Sequence, residues 1–281
     1  MNATNDKSID MEAQLRALWG ASDWPFTAAV KEAMETEVYT QTLRRLEQCM
    51  AVRTCGILWG PNGVGKSRLV KTLVDRLPKK TYRTMVLTHS SLTGTDITRY
   101  LCHTQGIGVT QRRSDNIMAL RKLWSNQDGL WPVLIFEEAQ NLSTMGLEEL
   151  RLMTCDRLDT QPPFSLLLVG DSALLPRLQM GINRPLLSRM GFCLEVTGWP
   201  PELCTQYIAK RLADVGIREN VFDPEAEQLL LRIAGGIPRT INHLGQRSFE
   251  EAARDRSRQI RVEHVQHALE QLPWLGTIHK D

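Results

Sequence analysis

Five short apolar segments, separated by amphipathic stretches, run through the middle of the chain. Each segment is nearly uninterrupted in its apolar residues, as expected for a strand of a sheet that is covered on both faces. The five segments are residues 56–59, 85–88, 133–136, 165–169 and 192–196. Because helical patterns separate them, the segments predict an α/β fold with a five-stranded parallel sheet flanked by helices.

Helical periodicity dominates both ends of the chain. Before the first strand, residues 11–19 and about 27–50 have helical patterns, and the longer one carries apolar side chains at Val30, Ala33, Met34, Val38, Leu43 and Leu46. After Trp199-Pro200-Pro201, four helical stretches follow at about 202–215, 224–234, 239–255 and 262–272. We therefore predict a helical N-terminal extension (1–50), an α/β core (51–198) and a small all-helical domain (199–281).

Composition narrows the class of protein. With 42% hydrophobic and 23% charged residues among 281, the chain is typical of a soluble globular protein. No apolar run approaches the roughly 18 residues of a membrane span, and the first residues do not resemble a signal peptide. We therefore expect a cytoplasmic protein with no membrane segment. The scattered cysteines argue against a zinc finger.

A glycine-rich loop lies between the first apolar segment and a helical stretch at 68–77. It consists of Gly60, Pro61, Asn62, Gly63, Val64, Gly65, Lys66 and Ser67, and fits the pattern G-x-x-x-x-G-K-[ST]. Glycines let backbone amides surround phosphates, Lys66 neutralises β/γ oxygens, and Ser67 ligates Mg²⁺. We therefore predict an ATP and Mg²⁺ site, in which we include Arg68 at the start of the next helix.

Two carboxylates follow the third apolar segment. Glu137 and Glu138 come directly after residues 133–136, which gives this segment the form of a Walker B motif. Glu138 is the candidate that orients the attacking water, and Glu137 occupies the position that holds Mg²⁺, usually through a water. An acidic start to the helix near 146–152 is the alternative. Because aspartate is usual at the position of Glu137, we hypothesise slow hydrolysis.

Together these features resemble an AAA+ ATPase of the branch that contains ExeA-type ATPases and the transposition helpers TnsC, TniB and IstB. The resemblance covers about residues 24–272. The segments that carry it are Trp24-Pro25-Phe26, GPNGVGKS, FEEAQNL at 136–142, LLLVGDSALL at 166–175, LLSRM at 186–190 and GGIPRTINHL at 235–244. It implies an AAA+ P-loop NTPase fold followed by a helical lid.

The resemblance also implies roles for three further residues. Arg239 matches the sensor-2 arginine, with a surface arginine at a helix start as the alternative. Arg189 matches an arginine finger that enters a neighbouring subunit's nucleotide site; Arg184 is its competitor, and a local salt bridge is the alternative. Asp171 lies at the sensor-1 position, where a neutral polar residue is commoner, and an acidic loop residue is the alternative.

The resemblance favours an ATP-dependent regulator of DNA transposition. Homo-oligomers, as rings or helical filaments, would assemble on double-stranded DNA and disassemble on hydrolysis. Their partners would be a transposase and a target-selection protein. The alternatives are an ExeA-like secretion-assembly ATPase, a replication-initiator or clamp-loader relative, and a nucleotide-dependent module with almost no hydrolysis.

Positive charge marks the candidate DNA surface, although the net charge of the chain is only +2. The segment of residues 76–123 contains nine Lys and Arg residues and only two Asp residues, which gives it a net charge of +7. Arg99, Arg112 and Arg113 are the strongest candidates for phosphate contacts, with a solvated helix face as the alternative. His243, His264 and His267 are not expected to bind a metal, since no carboxylate or cysteine completes their spacing.

Overall fold

The computed structural model describes residues 15–26, 34–88, 92–126, 129–155 and 162–275. The chain divides into two compact units. The first is Glu37–Val196, and the second joins the described residues up to Thr36 with those from Thr197 onward. The predicted N-terminal extension is thus shared between the units, because Leu15 and Phe26 are buried among the C-terminal helices.

The first unit is built on a five-stranded parallel sheet. Its strands are β1 Cys55–Trp59, β2 Tyr82–Leu87, β3 Trp131–Phe136, β4 Ser165–Gly170 and β5 Met190–Glu195. Their spatial order is β2-β3-β4-β1-β5, and all four neighbouring pairs are parallel. The predicted five-stranded parallel sheet is confirmed.

Only the three central strands have the predicted burial. Side chains of β3 and β4 are buried almost throughout, and so are those of β1 except at its last residue. The two outer strands differ: β2 is partly buried over its first half, and β5 alternates between partly buried and exposed residues. The prediction of strands covered on both faces is wrong for these two, because side chains at the margins of a sheet have fewer neighbours to pack against.

Seven helices accompany the sheet within the described residues of this unit. They are α1 Glu37–Ala51, α2 Lys66–Arg76, α3 Gly94–Thr104, α4 Arg113–Asn126, α5 Thr144–Thr154, α6 Leu174–Gln179 and α7 Arg184–Leu187. The core between helices and sheet includes Ile57, Leu101, Phe136, Leu150 and Leu166.

The helix predicted at 27–50 begins later than expected. Residues 34–36 are not helical and α1 starts at Glu37, whereas 27–33, with Val30 and Ala33, lie outside the described residues. Leu43 and Leu46 are buried as predicted, but Val38 is 52% exposed. The first turn of α1 therefore does not carry the predicted apolar face.

The second unit is helical. Its helices are α8 Pro201–Ala213, α9 Pro224–Ala234, α10 Pro238–Arg254 and α11 Val262–Glu270, and residues 15–19 are also helical. Phe26, Phe222 and Phe249 form its aromatic centre, with ring centroids 5.8 to 6.3 Å apart. Gly245 makes this packing possible, since a Cβ there would lie 2.8 Å from the Phe26 ring. The predicted C-terminal helical region is confirmed.

The described helices also bear on membrane association. None of those in the part of the chain that the structure describes has the length and hydropathy needed to cross a lipid bilayer.

Candidate nucleotide-binding site

The loop between β1 and α2 requires glycine at three positions. Gly60, Gly63 and Gly65 have φ angles of 146°, 89° and 104°, which residues with a side chain seldom adopt. At Gly60 an added Cβ would also lie 2.1 Å from the carbonyl oxygen of Val196. The path of the loop beside the end of β5 therefore depends on the absence of a side chain.

Lys66, the first residue of α2, holds its ammonium against this loop. Its Nζ donates to the carbonyl oxygens of Gly60 and Pro61, each at 2.8 Å, and the residue is only 7% exposed. The N-terminus of α2 adds its partial positive charge at the same place. Both features favour an anionic ligand such as a phosphate group.

Ser67 and Glu137 meet across the ends of two strands. Ser67 Oγ donates to Glu137 Oε2 at 3.0 Å, and the backbone N–H of Glu137 donates to the carbonyl oxygen of Leu87 at 2.9 Å. The predicted Walker A hydroxyl and Walker B carboxylate are thus in direct contact. They border a groove of about 240 Å³, which is also lined by Val70, Lys71, Val74, Asp75 and Val86.

The donor set of this pair fits Mg²⁺. A hydroxyl and a carboxylate are hard oxygen ligands, and Mg²⁺ in nucleotide sites takes one or two such ligands together with phosphates and waters. Across the described ranges, no group of three or more His, Cys, Asp or Glu side chains could hold a metal by itself. Consistent with this, buried His264 is engaged by the N–H of Arg261 and by Asp255.

Glu138 has an unusual backbone conformation. Its φ of 51° is left-handed, which is uncommon for a residue with a side chain and concentrates at functional sites. Its Oε2 accepts a hydrogen bond from Gln140 Nε2 at 2.7 Å. The candidate catalytic carboxylate is therefore held by a side chain two residues further along the chain.

Two residues that the sequence did not single out organise this region. Gln140 Oε1 accepts from the backbone N–H of Asp171 at 3.2 Å, which links the ends of β3 and β4. The guanidinium of Arg177 donates to the carbonyl oxygens of Gln140 and Leu142 and fixes the loop after β3. The only sequence signal was the position of Gln140 within EEAQ; Arg177 lies in α6 with no motif.

The carboxylate of Asp171 caps its own turn. Its Oδ1 accepts from the N–H of Ala173 at 2.9 Å, just before α6. This contact matches the acidic-loop interpretation of Asp171, and a sensor-1 role stays a prediction.

The two candidates for an arginine finger differ in their surroundings. Arg189 is exposed directly before β5 and forms no ion pair with the residues that the structure describes. Arg184, also exposed, donates from Nε to the carbonyl oxygen of Gln179 at 3.3 Å. The local salt bridge considered for Arg189 is therefore not observed among described residues, and its action on a neighbouring subunit stays a prediction.

Arg239 belongs to the second unit, in the first turn of α10. Burial, followed by the charges of Arg239 and Arg247, lowers the pKa of His243. Arg239 and His243 are four residues apart and so lie on one helix face. Contact between Arg239 and a nucleotide stays a prediction.

The candidate DNA residues are close together but not equivalent. Arg99 and Arg113 line one pocket of about 220 Å³, and Arg112 is exposed on the adjoining loop. Arg113 Nε donates to Glu149 Oε2 at 2.6 Å, and Glu149 is only 4% exposed. Burial raises the pKa of Glu149, and Arg113 opposes that rise. Arg113 therefore neutralises a buried carboxylate, whereas Arg99 and Arg112 present their charge to solvent.

Part of the sheet unit is similar to known proteins. Residues 50–178 match the family model of an AAA domain, AAA_22. General secretion pathway protein A from Aeromonas hydrophila is 28% identical over 202 residues, covering 69% of this chain and 36% of that protein. The match thus spans about a third of the length of that relative. It agrees with the resemblance to ExeA-type ATPases. The transposition-helper branch stays a prediction.

Solved structures with low sequence identity share the fold. Cdc6p from Pyrobaculum aerophilum has a TM-score of 0.67 at 18% identity, over 88% of this chain and 70% of that one. Aeropyrum pernix ORC1, solved in complex with DNA, has a TM-score of 0.65 at 19% identity, over 89% and 69%. Thermotoga maritima RuvB, a Holliday junction branch migration motor, has 0.50 at 21%, over 89% and 74%. Residues 50–178 match an AAA-domain model, and the chain has the fold of AAA+ P-loop NTPase structures.

Proposed function

We propose that this protein binds ATP with Mg²⁺ at the loop of residues 60–67 and hydrolyses it slowly. The observation that carries the proposal is the hydrogen bond from Ser67 Oγ to Glu137 Oε2, with a length of 3.0 Å. Ser67 directly follows Lys66, which is buried. A P-loop hydroxyl and a strand-end carboxylate in this arrangement are the parts that a phosphoryl-transfer site requires.

Each residue has a distinct task in this proposal. Lys66 would neutralise the β- and γ-phosphates, while Ser67 and Glu137 would hold Mg²⁺, which when bound neutralises charge on the phosphate oxygens. Glu138 would orient the attacking water. Arg239 and, from a neighbouring subunit, Arg189 would stabilise the charge that develops on the phosphoryl group.

Substitution of Lys66 tests nucleotide binding directly. We expect Lys66→Ala to lose at least about tenfold in affinity for a fluorescent ATP analogue and all measurable hydrolysis, since a buried cation facing the phosphates is removed. Lys79→Ala is the matched control, because Lys79 is an exposed lysine beyond the end of α2 and outside the groove. Equal analogue affinity for wild type and Lys66→Ala would contradict the proposal.

For the biological role we propose an ATP-dependent switch that assembles on double-stranded DNA and regulates transposition. Homo-oligomers formed with ATP between subunits would recruit a transposase, with a target-selection protein as a further partner, and hydrolysis would release them. Support comes from the local charge of +7 between residues 76 and 123 and from the fold shared with ORC1 in complex with DNA. The transposition role itself rests on the resemblance of short motifs.

Electron microscopy with duplex DNA and a non-hydrolysed ATP analogue tests the DNA-dependent assembly. Rings or filaments on DNA support it, whereas identical monomers with and without DNA contradict it. We expect Arg112→Glu to weaken DNA binding with a reduced salt dependence, because a phosphate contact is lost. Arg44→Glu, a change at another exposed arginine on α1, is the control for added negative charge.

A secretion-assembly ATPase is the second candidate, favoured by the 28% identity to General secretion pathway protein A. Such an ATPase would use the same nucleotide chemistry. For it we expect ATP-dependent assembly that duplex DNA neither induces nor stabilises. Measuring ATPase rate and particle mass with and without DNA separates the two candidates.

A further inference from the structure

We propose that Gln140 is a positioning residue that sets the orientation of the Glu138 carboxylate and couples it to the end of β4. This inference rests on the proposed ATPase function. Gln140 Nε2 donates to Glu138 Oε2 at 2.7 Å while its Oε1 accepts from the backbone N–H of Asp171 at 3.2 Å. One carboxamide therefore joins the candidate catalytic carboxylate to a fixed backbone group of the neighbouring strand.

The chemistry of the two partners fixes which way the carboxamide points. The N–H of Asp171 can only donate, and an ionised Glu138 carboxylate can only accept. The amide of Gln140 must therefore turn its oxygen to Asp171 and its nitrogen to Glu138, and the reverse orientation would lose both hydrogen bonds. A side chain that is only an acceptor or only a donor cannot make this bridge.

The surroundings are shaped to admit this side chain. An added Cβ at Gly170 would lie 2.7 Å from Gln140 Oε1, so the last residue of β4 must lack a side chain for the bridge to form. On the other side, the guanidinium of Arg177 bonds the backbone carbonyl oxygen of Gln140. The backbone and the side chain of Gln140 are thus both held in place, which is the property required of a group that orients another.

Asp171, which follows the last residue of β4, is also fixed. The carboxylate of Asp171 is engaged by the N–H of Ala173 at 2.9 Å, so the residue presents its backbone N–H, not its side chain, to Gln140. The bridge therefore ends on a rigid turn before α6. The Gln140 bridge thereby restricts the rotation of the Glu138 side chain, whose backbone already has a left-handed conformation.

Gln140→Glu separates the two contacts of the bridge. The variant has the same shape and keeps an acceptor for the N–H of Asp171, but it loses the donor to Glu138 and places two carboxylates side by side. We expect kcat for ATP to fall about 10- to 100-fold, since misplacement of a catalytic group by even about 1 Å costs rate on this scale. We expect KM and the affinity for a non-hydrolysed ATP analogue to change less than about threefold, because Gln140 hydrogen-bonds to Glu138, Asp171 and Arg177, which lie outside the loop of residues 60–67.

Four controls identify the cause of the loss. Gln48→Glu, an exposed change on α1, should leave kcat unchanged, and the thermal unfolding curve of Gln140→Glu should match wild type. In a Glu138→Gln background, Gln140→Glu should lower the residual rate by less than about twofold, because the catalytic carboxylate that Gln140 orients is already absent. Gln140→Ala, which cannot repel Glu138, should also lower kcat.

The outcomes of this experiment are distinct. A wild-type rate no higher than that of Lys66→Ala defeats the proposed ATPase function and this inference with it. If wild type hydrolyses ATP and both Gln140 variants retain kcat within about twofold, the inference alone is wrong. It is also wrong if Gln140→Glu lowers the rate as strongly in the Glu138→Gln background as in wild type, because Gln140 would then act without Glu138.

Discussion

Replacing Arg113 with alanine should destabilise the sheet unit, because Arg113 is the counter-ion of a buried carboxylate. Glu149 is 4% exposed, its Oε2 accepts from Arg113 Nε at 2.6 Å, and its Oε1 is buried without a hydrogen-bond partner among the described residues. Breaking a fully buried pair costs about 3–5 kcal/mol. The Arg113 side chain is 40% exposed, so solvent screens the pair and we expect a loss of about 2 kcal/mol.

The loss should depend on pH in a defined direction. Burial raises the pKa of Glu149 above its ordinary value, and the nearby Arg113 opposes this rise. A carboxyl with a raised pKa holds its proton more tightly when folded, so its unfavourable contribution grows as pH rises through the folded pKa. Without Arg113 the pKa rises further. Arg113→Ala should therefore be most destabilised near neutral pH and less so as pH falls towards the ordinary carboxyl range.

Urea and thermal unfolding of the variant at two pH values measure this effect. For a unit of this size, about 2 kcal/mol corresponds to a fall in melting temperature of roughly 4 to 8 °C. Arg112→Ala, an exposed neighbour, should change stability by less than about 0.5 kcal/mol. Adding Glu149→Gln to Arg113→Ala should recover most of the loss, because a neutral amide needs no counter-ion. Equal stability of wild type and Arg113→Ala at neutral pH would show that Arg113 does not stabilise the buried Glu149 carboxylate.

Three further predictions concern the nucleotide site. Gly60→Ala should weaken ATP-analogue binding at least about tenfold, because the φ of 146° at Gly60 disfavours a side chain and an added Cβ would meet the carbonyl oxygen of Val196. Gly181→Ala is the matched control in the same binding titration, since a Cβ at Gly181 meets nothing within 4 Å. Ser67→Ala should lower the ATPase rate about 100-fold and require a higher Mg²⁺ concentration for half-maximal rate, because one oxygen ligand is lost. An unchanged Mg²⁺ dependence would exclude Ser67 as a ligand. Glu137→Asp should raise the steady-state ATPase rate, and an unchanged rate would show that the extra methylene does not limit hydrolysis.

The parts of this molecule that local pattern determines could be predicted from the sequence. Residue types at fixed spacing predict the loop at 60–67 and the strand before Glu137. Unbroken apolar runs predict the central strands. The starts of β2 and β5 were misplaced by two to three residues because Tyr82-Arg83-Thr84 and Met190-Gly191 do not continue an apolar run.

Contacts between distant segments could not be predicted in the same way. The Arg113–Glu149 pair joins residues 36 positions apart, and Arg177 reaches carbonyl oxygens more than 30 positions away. Nothing in the spacing of these residues identifies their partners. As a result, Arg113 was grouped with Arg99 and Arg112 by charge alone, although its neighbour is a buried carboxylate.

The order of the strands explains why Ser67 and Glu137 need long reach. They follow β1 and β3, which are separated by β4, so the two strand ends lie roughly 10 Å apart at ordinary strand spacing. Glutamate is one methylene longer than aspartate, and with this length Glu137 Oε2 comes within 3.0 Å of Ser67 Oγ. With aspartate at position 137 the carboxylate would retract by about 1.5 Å and lose the direct contact with Ser67 Oγ, leaving space for a metal-bound water between them. A metal can enter without breaking the Ser67–Glu137 hydrogen bond, because Ser67 Oγ donates its proton to the carboxylate and keeps its lone pairs for the metal. The space for a metal-bound water beside the shorter aspartate is therefore the physical reason to expect faster hydrolysis from Glu137→Asp.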